Sequence, residues 1–514
     1  MTLSGIGPGD WPSIGARYCP GASALRTAAG ETVSYADLES RASRLADSLR
    51  RRGFGKGERV AILNTDSIEY VVLILAALKL GLIVAPLNFR MTPPELATLV
   101  QAIDPAVIAY GSRYEPVVDT LRQAAPSCRL AVRLAPGPPG EVSLADLTAE
   151  SSLSTMAALT DDSDIVTWLL TSGTTGTPRI VAQSQRMLKA DIVKGAVEHG
   201  FRPGECLYSG SPLFHVAGMG WLCYAMSRSA CYLLIPQFDV DAVLASLKSG
   251  LLTRCLLISS MATALVEHPD ARGEYPALRG IAYGGAATPP SVVRRLHQTF
   301  GCDLYNTFGA GTECGGQTVL RPEDHRRALA GAEHLLASIG RPMYGVDLEL
   351  RGADGQPVAT GEVGEICTRS DSVMDGYVGR PDLTAERVPD GWVHGGDMAW
   401  QDAEGYLYLA GRKDDMILRG GENIYPVEVE NALCEHPAVS EAVVVGLPDQ
   451  FWGQVVAAAV LPVLGAQVDE SELLTFTGRR LAHYKLPSRV IVLPEFPRNA
   501  TGKARRSEIR AAFL

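Results

Sequence analysis

Thr171-Ser172-Gly173-Thr174-Thr175-Gly176-Thr177-Pro178-Arg179 stands between two largely apolar runs, 165–170 and 180–181. Five hydroxyls and one guanidinium fall within nine residues, and Gly173, Gly176 and Pro178 let the chain bend. A strand, a small-residue turn and a second strand are expected. Small residues let backbone N–H groups approach an anion closely, so the turn can wrap a phosphate. A plain flexible turn fits the same residues equally well. It is not the common mononucleotide loop, because no Gly-Lys-Ser/Thr closes it and no helix obviously starts there.

Six further stretches carry groups suited to anion and carboxylate chemistry. They are Ser211-Pro212-Leu213-Phe214-His215, Tyr283-Gly284-Gly285-Ala286-Ala287 and Phe308-Gly309-Ala310-Gly311-Thr312-Glu313. Then follow Gly391-Trp392-Val393-His394-Gly395-Gly396-Asp397, Gly411-Arg412-Lys413-Asp414-Asp415 and Asn499-Ala500-Thr501-Gly502-Lys503. In this order the stretches resemble the adenylate-forming superfamily of acyl-CoA synthetases, aryl-CoA ligases, peptide-synthetase adenylation domains and firefly-type luciferases. The resemblance spans residues 35–506 and is strongest to a free-standing acyl- or aryl-CoA synthetase.

The resemblance implies a reaction in two halves. A carboxylate attacks the α-phosphate of MgATP, pyrophosphate leaves, and the acyl group then passes to a thiol. Thr171, Ser172, Gly173, Thr174, Thr175 and Gly176 match the loop that holds the β- and γ-phosphates. Thr312 matches the residue that touches the α-phosphate, and Glu313 the one that helps hold Mg²⁺, a hard cation suited to carboxylate oxygen. Asp397 would accept hydrogen bonds from both ribose hydroxyls, and Arg412 would steady the ribose and phosphate side. Gly285, Ala286 and Ala287 would flank the adenine, with Phe308 stacking opposite; a core role for Phe308 is the alternative. Lys503 would reach into the site and bridge the carboxylate and the α-phosphate. Asp414 matches the hinge of the mobile C-terminal domain, and Gly420 and Gly421 the channel through which the thiol enters.

His215 is counted with the catalytic residues and also with the acyl pocket, which draws on Gly218, Met219, Trp221, Gly284, Asn306 and Thr307. Ordinary core packing is the competing account of Met219 and Trp221. Amino-acid adenylation domains usually carry an acid near this point to meet the substrate amine, and none stands here. A non-amino acid, apolar or ring-containing, is expected. No carrier domain follows Leu514, so the thiol is expected from CoA or a separate carrier protein, and the resemblance to free-standing synthetases favours CoA; a non-catalytic nucleotide-binding relative is the remaining alternative. Residues 479–510 hold nine Arg or Lys against Glu495 and Glu508. A solvated face explains that run, and a hold on the 3′-phosphate of CoA is the functional alternative.

Four departures from the family pattern stand out. Arg179-Ile180 replace Lys-Gly, and an extra residue lies between Phe308 and Glu313, where the family ring is Tyr. Gly395 stands where Thr often does, and Gln185 where His often follows Ser. None removes a charged catalytic group.

Strands and helices alternate in the elements that must position these groups. Helices are expected at 35–51, 67–80, 93–103, 241–248 and 290–299, and strands at 59–63, 83–87 and 255–258. The fold class is α/β, with mostly parallel sheets in a large N-terminal domain. Residues 135–154, rich in Pro, Gly and Ser, read as a surface connection. From residue 345 short strands form a β-rich subdomain. A small C-terminal α/β domain follows, with helices at 426–434 and 470–483 around a strand at 439–445. The expected division is 1–411, a hinge at 412–415, and 416–514.

A net charge of −10 excludes the basic surface that non-specific nucleic-acid binding needs. Ten cysteines without a Cys-x-x-Cys pair suggest neither a zinc site nor a disulfide framework. The most apolar stretch, 71–86, is interrupted by Lys79 and Gly81 and is too short to span a bilayer. No secretory signal is visible in 1–16, so a soluble cytoplasmic protein is expected, with a homodimer open.

Overall fold

The computed structural model describes residues 6–138, 141–171, 179–286, 288–463, 465–498 and 504–513. Capping decides several helix starts. The Ser34 side chain accepts from the Asp37 N–H to open helix Tyr35–Arg51, and Ser67 accepts from the Tyr70 N–H to open Ile68–Leu80. The second of these ends at Gly81, whose φ of +79° suits a residue without a Cβ. Ile68–Leu80 is buried on every side, so its apolar run belongs to a core helix. Lys79, which interrupts that run, is fully buried and pairs with Glu39 at 3.0 Å.

Two large sheets carry the N-terminal part. One has nine strands; its six central members, in spatial order Asp303–Phe308, Gly280–Gly284, Arg254–Ile258, Cys206–Ser209, Cys231–Leu234 and Ser23–Thr27, run parallel. The other has seven, with Ile165–Thr171, Ile83–Pro86, Arg59–Leu63, Val107–Tyr110 and Leu130–Arg133 parallel. Arg179–Ser184 adds antiparallel to Ile165–Thr171 and pairs Thr171 with Arg179, so the hydroxyl-rich stretch joins the two arms of a hairpin. A four-stranded antiparallel sheet follows, from Asp347–Arg351 to Leu407–Arg412. The last sheet is built on the long hairpin Val439–Asp449 and Gly453–Pro462, and its two faces bury separate apolar clusters.

Two expected elements differ. Residues 135–154 contain a helix, Leu144–Ala149, capped by Ser143 and packed on Tyr35–Arg51. Its apolar signal is two leucines, Leu144 and Leu147, too few to stand out among Pro and Gly. The helix expected over 470–483 ends at Gly478, and the chain turns through His483–Lys485 instead.

Candidate active site

The carboxyl ends of neighbouring parallel strands collect the predicted groups, the usual place for ligands in open α/β sheets. Cys206–Ser209 leads to His215, Gly280–Gly284 to Gly285, and Asp303–Phe308 to Thr312 and Glu313. Close backbone approaches set their spacing. A Cβ on Gly284 would lie 2.2 Å from the Thr307 carbonyl, and one on Gly309 would lie 2.2 Å from the Gly315 carbonyl. A Cβ on Gly311 would lie 2.8 Å from Val216, so the turn before Thr312 sits against the residue after His215.

Thr312 and Glu313 occupy a single helical turn, Gly311–Cys314, and both are buried. The Tyr377 hydroxyl donates to Glu313 Oε1 at 3.0 Å, and Arg387 lies 3.6 Å from the same oxygen. Burial and then the Glu313 charge push the Tyr377 phenol up to about 12, which keeps it a donor. Arg179 holds its guanidinium 5.6 Å from the centre of the Tyr377 ring. The residue that departs from the family pattern therefore packs on the partner of Glu313. Ile180 points into an apolar core.

Arg387 also links this turn to the predicted ribose site. A Cβ on Gly396 would lie 3.7 Å from Arg387 Nη1 and 3.9 Å from Arg412 Nη1. Asp397 and Arg412 are cross-strand partners, and Arg412 Nε lies 2.7 Å from Asp397 Oδ1. Gly285, at φ +76°, follows its strand as a backbone turn, and Ala286 is exposed beside it. Phe308 is half-buried and packs against the cluster of Ile339, Leu350, Ile366, Ala399 and Leu407.

The predicted acyl-pocket residues divide. Of them Met219 lines a small cavity, together with Leu169, Gln183, Met187, Leu188, Asp191, Val216, Gly220, Gly311 and Gly315. Gly218 is buried tightly, since a Cβ there would lie 2.2 Å from the Pro212 carbonyl. The Thr307 hydroxyl is buried with no hydrogen-bond partner among the described residues, and Asn306 donates to the Ser338 carbonyl at 3.1 Å. Trp221 is not brought to this cavity. It packs edge-on to Phe201 at 5.4 Å within an aromatic cluster with His199 and Tyr224, the core role. A larger cavity of about 490 Å³, between Asn64, Arg113, Tyr114 and Gln237, includes none of the predicted residues.

His215 caps helix Val216–Ser227 through Nδ1, which accepts from the Ala217 N–H at 3.2 Å. Burial, and then the Arg90 charge, lower it to about 4, so the ring is neutral at pH 7. The loop before it is held by Asp66, whose Oδ1 accepts from the Leu213 N–H at 3.0 Å. In the sequence Asp66 looks like an ordinary residue between a strand and a helix cap, and nothing marks it. Burial raises its carboxyl to about 7, against the Leu213 hydrogen bond and the Arg90 charge. A folded pKa above the unfolded one gives stability that is full below about pH 4 and is lost as pH rises through about 7. At about 1.4 kcal/mol per pH unit the difference is worth about 4 kcal/mol. Asp66→Asn keeps an acceptor for Leu213 and cannot ionise. Its melting midpoint relative to wild type is expected to rise between pH 5 and pH 8, and an offset independent of pH over that span would contradict the assignment.

Ser172, Gly173, Thr174, Thr175, Gly176, Ala287 and Lys503 lie outside the described residues. Asp414 is exposed in the turn Lys413–Asp415 between the third and fourth sheets. Gly420 and Gly421, at φ +60° and +89°, make the two-residue turn between Ile417–Arg419 and Glu422–Ile424. A Cβ on Gly420 would lie 2.7 Å from the Trp452 ring. Tyr377 and Arg387 were not legible as site residues, because they reach Glu313 from sequence positions 64 and 74 residues away.

With this geometry the chain matches the AMP-binding enzyme model over residues 14–378 and the AMP-binding enzyme C-terminal domain over 428–503. The chain belongs to the adenylate-forming superfamily. It is 34% identical over 509 residues to a feruloyl-CoA synthase of Amycolatopsis sp, covering 99% of each chain. It is also 34% identical over 508 residues to the indoleacetate–CoA ligase of Aromatoleum aromaticum, covering 98% of this chain and 97% of the relative. Among solved structures it resembles the o-succinylbenzoate CoA synthetase of Bacillus subtilis in complex with its acyl-adenylate intermediate, with a TM-score of 0.84 and 28% identity over 98% of both chains. This adenylate-forming enzyme is accordingly a ligase. No helix among its described residues is long and apolar enough to cross a membrane.

Proposed function

We propose that this ligase activates a non-amino-acid carboxylic acid, apolar or ring-containing, as its acyl adenylate and transfers the acyl group to CoA. The observation that carries the reading is the buried turn of Thr312 and Glu313, set between the Thr171–Arg179 hairpin and the Asp397–Arg412 pair. The relatives named as feruloyl-CoA synthase and indoleacetate–CoA ligase support a ring.

In this reading Thr171 to Gly176 hold the pyrophosphate end of ATP and Thr312 meets the α-phosphate. Asp397 exchanges its Arg412 contact for the ribose hydroxyls, and the freed guanidinium turns toward phosphate. Lys503 offsets the charge that builds as the carboxylate oxygen bonds to phosphorus and pyrophosphate leaves. Glu313 fits Mg²⁺ in the mode of one protein carboxylate plus substrate phosphates, and no cluster of three ligating side chains is present among the described residues. That ion would neutralise phosphate charge. Neutral His215 contributes shape and a hydrogen bond at the acyl wall rather than a cation.

Screening carboxylic acids for ATP-dependent pyrophosphate release, with CoA, with a carrier protein and with neither, tests the proposal. Ring-containing acids are expected to release pyrophosphate and to yield AMP and acyl-CoA when CoA is added. Turnover of amino acids alone, or acyl transfer only to the carrier protein, would overturn it.

A further inference from the structure

The turn that carries Thr312 and Glu313 is only four residues long, and a helix so short has no stability of its own. What holds it comes from outside. The Thr312 carbonyl accepts from Gln183 Nε2 at 2.9 Å and the Glu313 carbonyl from the Met374 N–H at 2.7 Å. The Cys314 carbonyl accepts from the Ser372 hydroxyl at 2.9 Å and from Lys194 Nζ at 3.3 Å. Lys194 is 4% exposed and also donates to Ser372 at 2.7 Å. Its counter-ion is Asp191 at 3.2 Å, one helical turn earlier. Asp191 Oδ1 in turn accepts from the Gly316 N–H at 3.3 Å. Gly315, at φ +67°, makes this possible, because a Cβ there would lie 1.9 Å from Asp191 Oδ1.

A carboxylate and an ammonium on one helix thus grasp the last carbonyl of the turn and an N–H two residues beyond it. Burying an ammonium costs several kcal/mol unless it is paired and hydrogen-bonded, and here both conditions are met. The helix is Gln185–His199, which continues directly from Arg179–Ser184, the returning arm of the hydroxyl-rich hairpin. Ser372 begins the segment that leads to Tyr377, the donor to Glu313. The ion pair therefore ties three phosphate-side elements to one another.

We propose that Asp191 and Lys194 are positioning residues that fix the Thr312–Glu313 turn relative to the phosphate-loop hairpin, and so set MgATP binding and the first half-reaction. The inference rests on the adenylation reading. Three variants separate it from plain stabilisation: Lys194→Met, Asp191→Asn, and the two combined. Lys194→Met leaves the partly buried Asp191 without its cation and lowers the melting midpoint; the double variant removes both charges and recovers that midpoint. Pyrophosphate exchange is expected to stay reduced in both by about 100-fold, the scale of a small misplacement of reacting groups, with KM for MgATP raised. Asp191→Asn, which keeps an acceptor for Gly316, should lose less. Thioester formation from preformed acyl adenylate and CoA should be unchanged throughout. Recovery of exchange together with the midpoint, or an equal fall in both half-reactions, would overturn the proposal. MgATP affinity without any acid is read in parallel. If wild type binds MgATP but adenylates no acid, the proposed function fails, while unchanged affinity in the double variant would sink the positioning role by itself.

Discussion

Lys503→Ala is expected to slow pyrophosphate exchange by about 10²–10³-fold, the loss typical when one charge-stabilising group is removed from a transition state. Thioester formation from preformed acyl adenylate should keep most of its rate, because no pentavalent phosphorus forms in that half. The size follows from the proposed role. An ammonium set between the attacking carboxylate and the α-phosphate would face charge that exists only as the new bond forms, so it would act on the barrier more than on binding. Pro497 and Arg505 are joined by a hydrogen bond and Arg498 and Ala504 by a β-bridge, so the chain is pinned to itself on either side of residues 499–503. Separate measurement of the two half-reactions decides the matter, and an equal loss in both would remove Lys503 from the role given to it.

Asp414→Pro is expected to do the reverse. Adenylation should survive within a few-fold, and thioester formation should fall by about 100-fold. The neighbours of Asp414 are tied to different parts of the molecule. Arg412 pairs with Asp397 at 2.7 Å and Lys413 with Glu365 at 3.0 Å, both in the four-stranded sheet. Asp415, on the other side, lies 3.2 Å from Arg506 in the C-terminal part. Asp414 is exposed between these anchors, so a rotation between the two bodies would be taken up at its φ and ψ. Proline fixes φ near −65° and removes that freedom. Exchange and thioester assays on one preparation, with the melting midpoint as a control, test this. A variant competent in both halves would remove Asp414 from the hinge role.

Local chemistry explains how much was legible. Ser34 and Ser67 stand immediately before apolar helical periodicity, and their hydroxyls cap those helices as such residues do. The order of seven short stretches pointed to the adenylate-forming superfamily because each needs particular residue types within a few positions. Signals that fell across the chain were lost. Trp221 sits six residues after His215 in the sequence, yet the helix turns it toward Phe201 and Tyr224 and away from the cavity that Met219 lines. Asp66, Lys194, Tyr377 and Arg387 are unremarkable where they stand in the chain and acquire meaning only from partners brought to them by the sheets.

The hydroxyl-rich stretch from Thr171 to Arg179 shows where the division falls. Its composition, and its company further along the chain, determined by themselves that phosphate chemistry and the adenylate-forming class were at issue, because short-range residue types dictate which groups can meet an anion. Tertiary structure decided what no spacing could show: that Arg179 stacks on Tyr377, that Tyr377 holds Glu313, and that Asp191 and Lys194 grip the turn beneath it. Those contacts join residues 64 to 198 positions apart, and only the packing of one sheet's edge against another's carboxyl ends brings them within bonding distance.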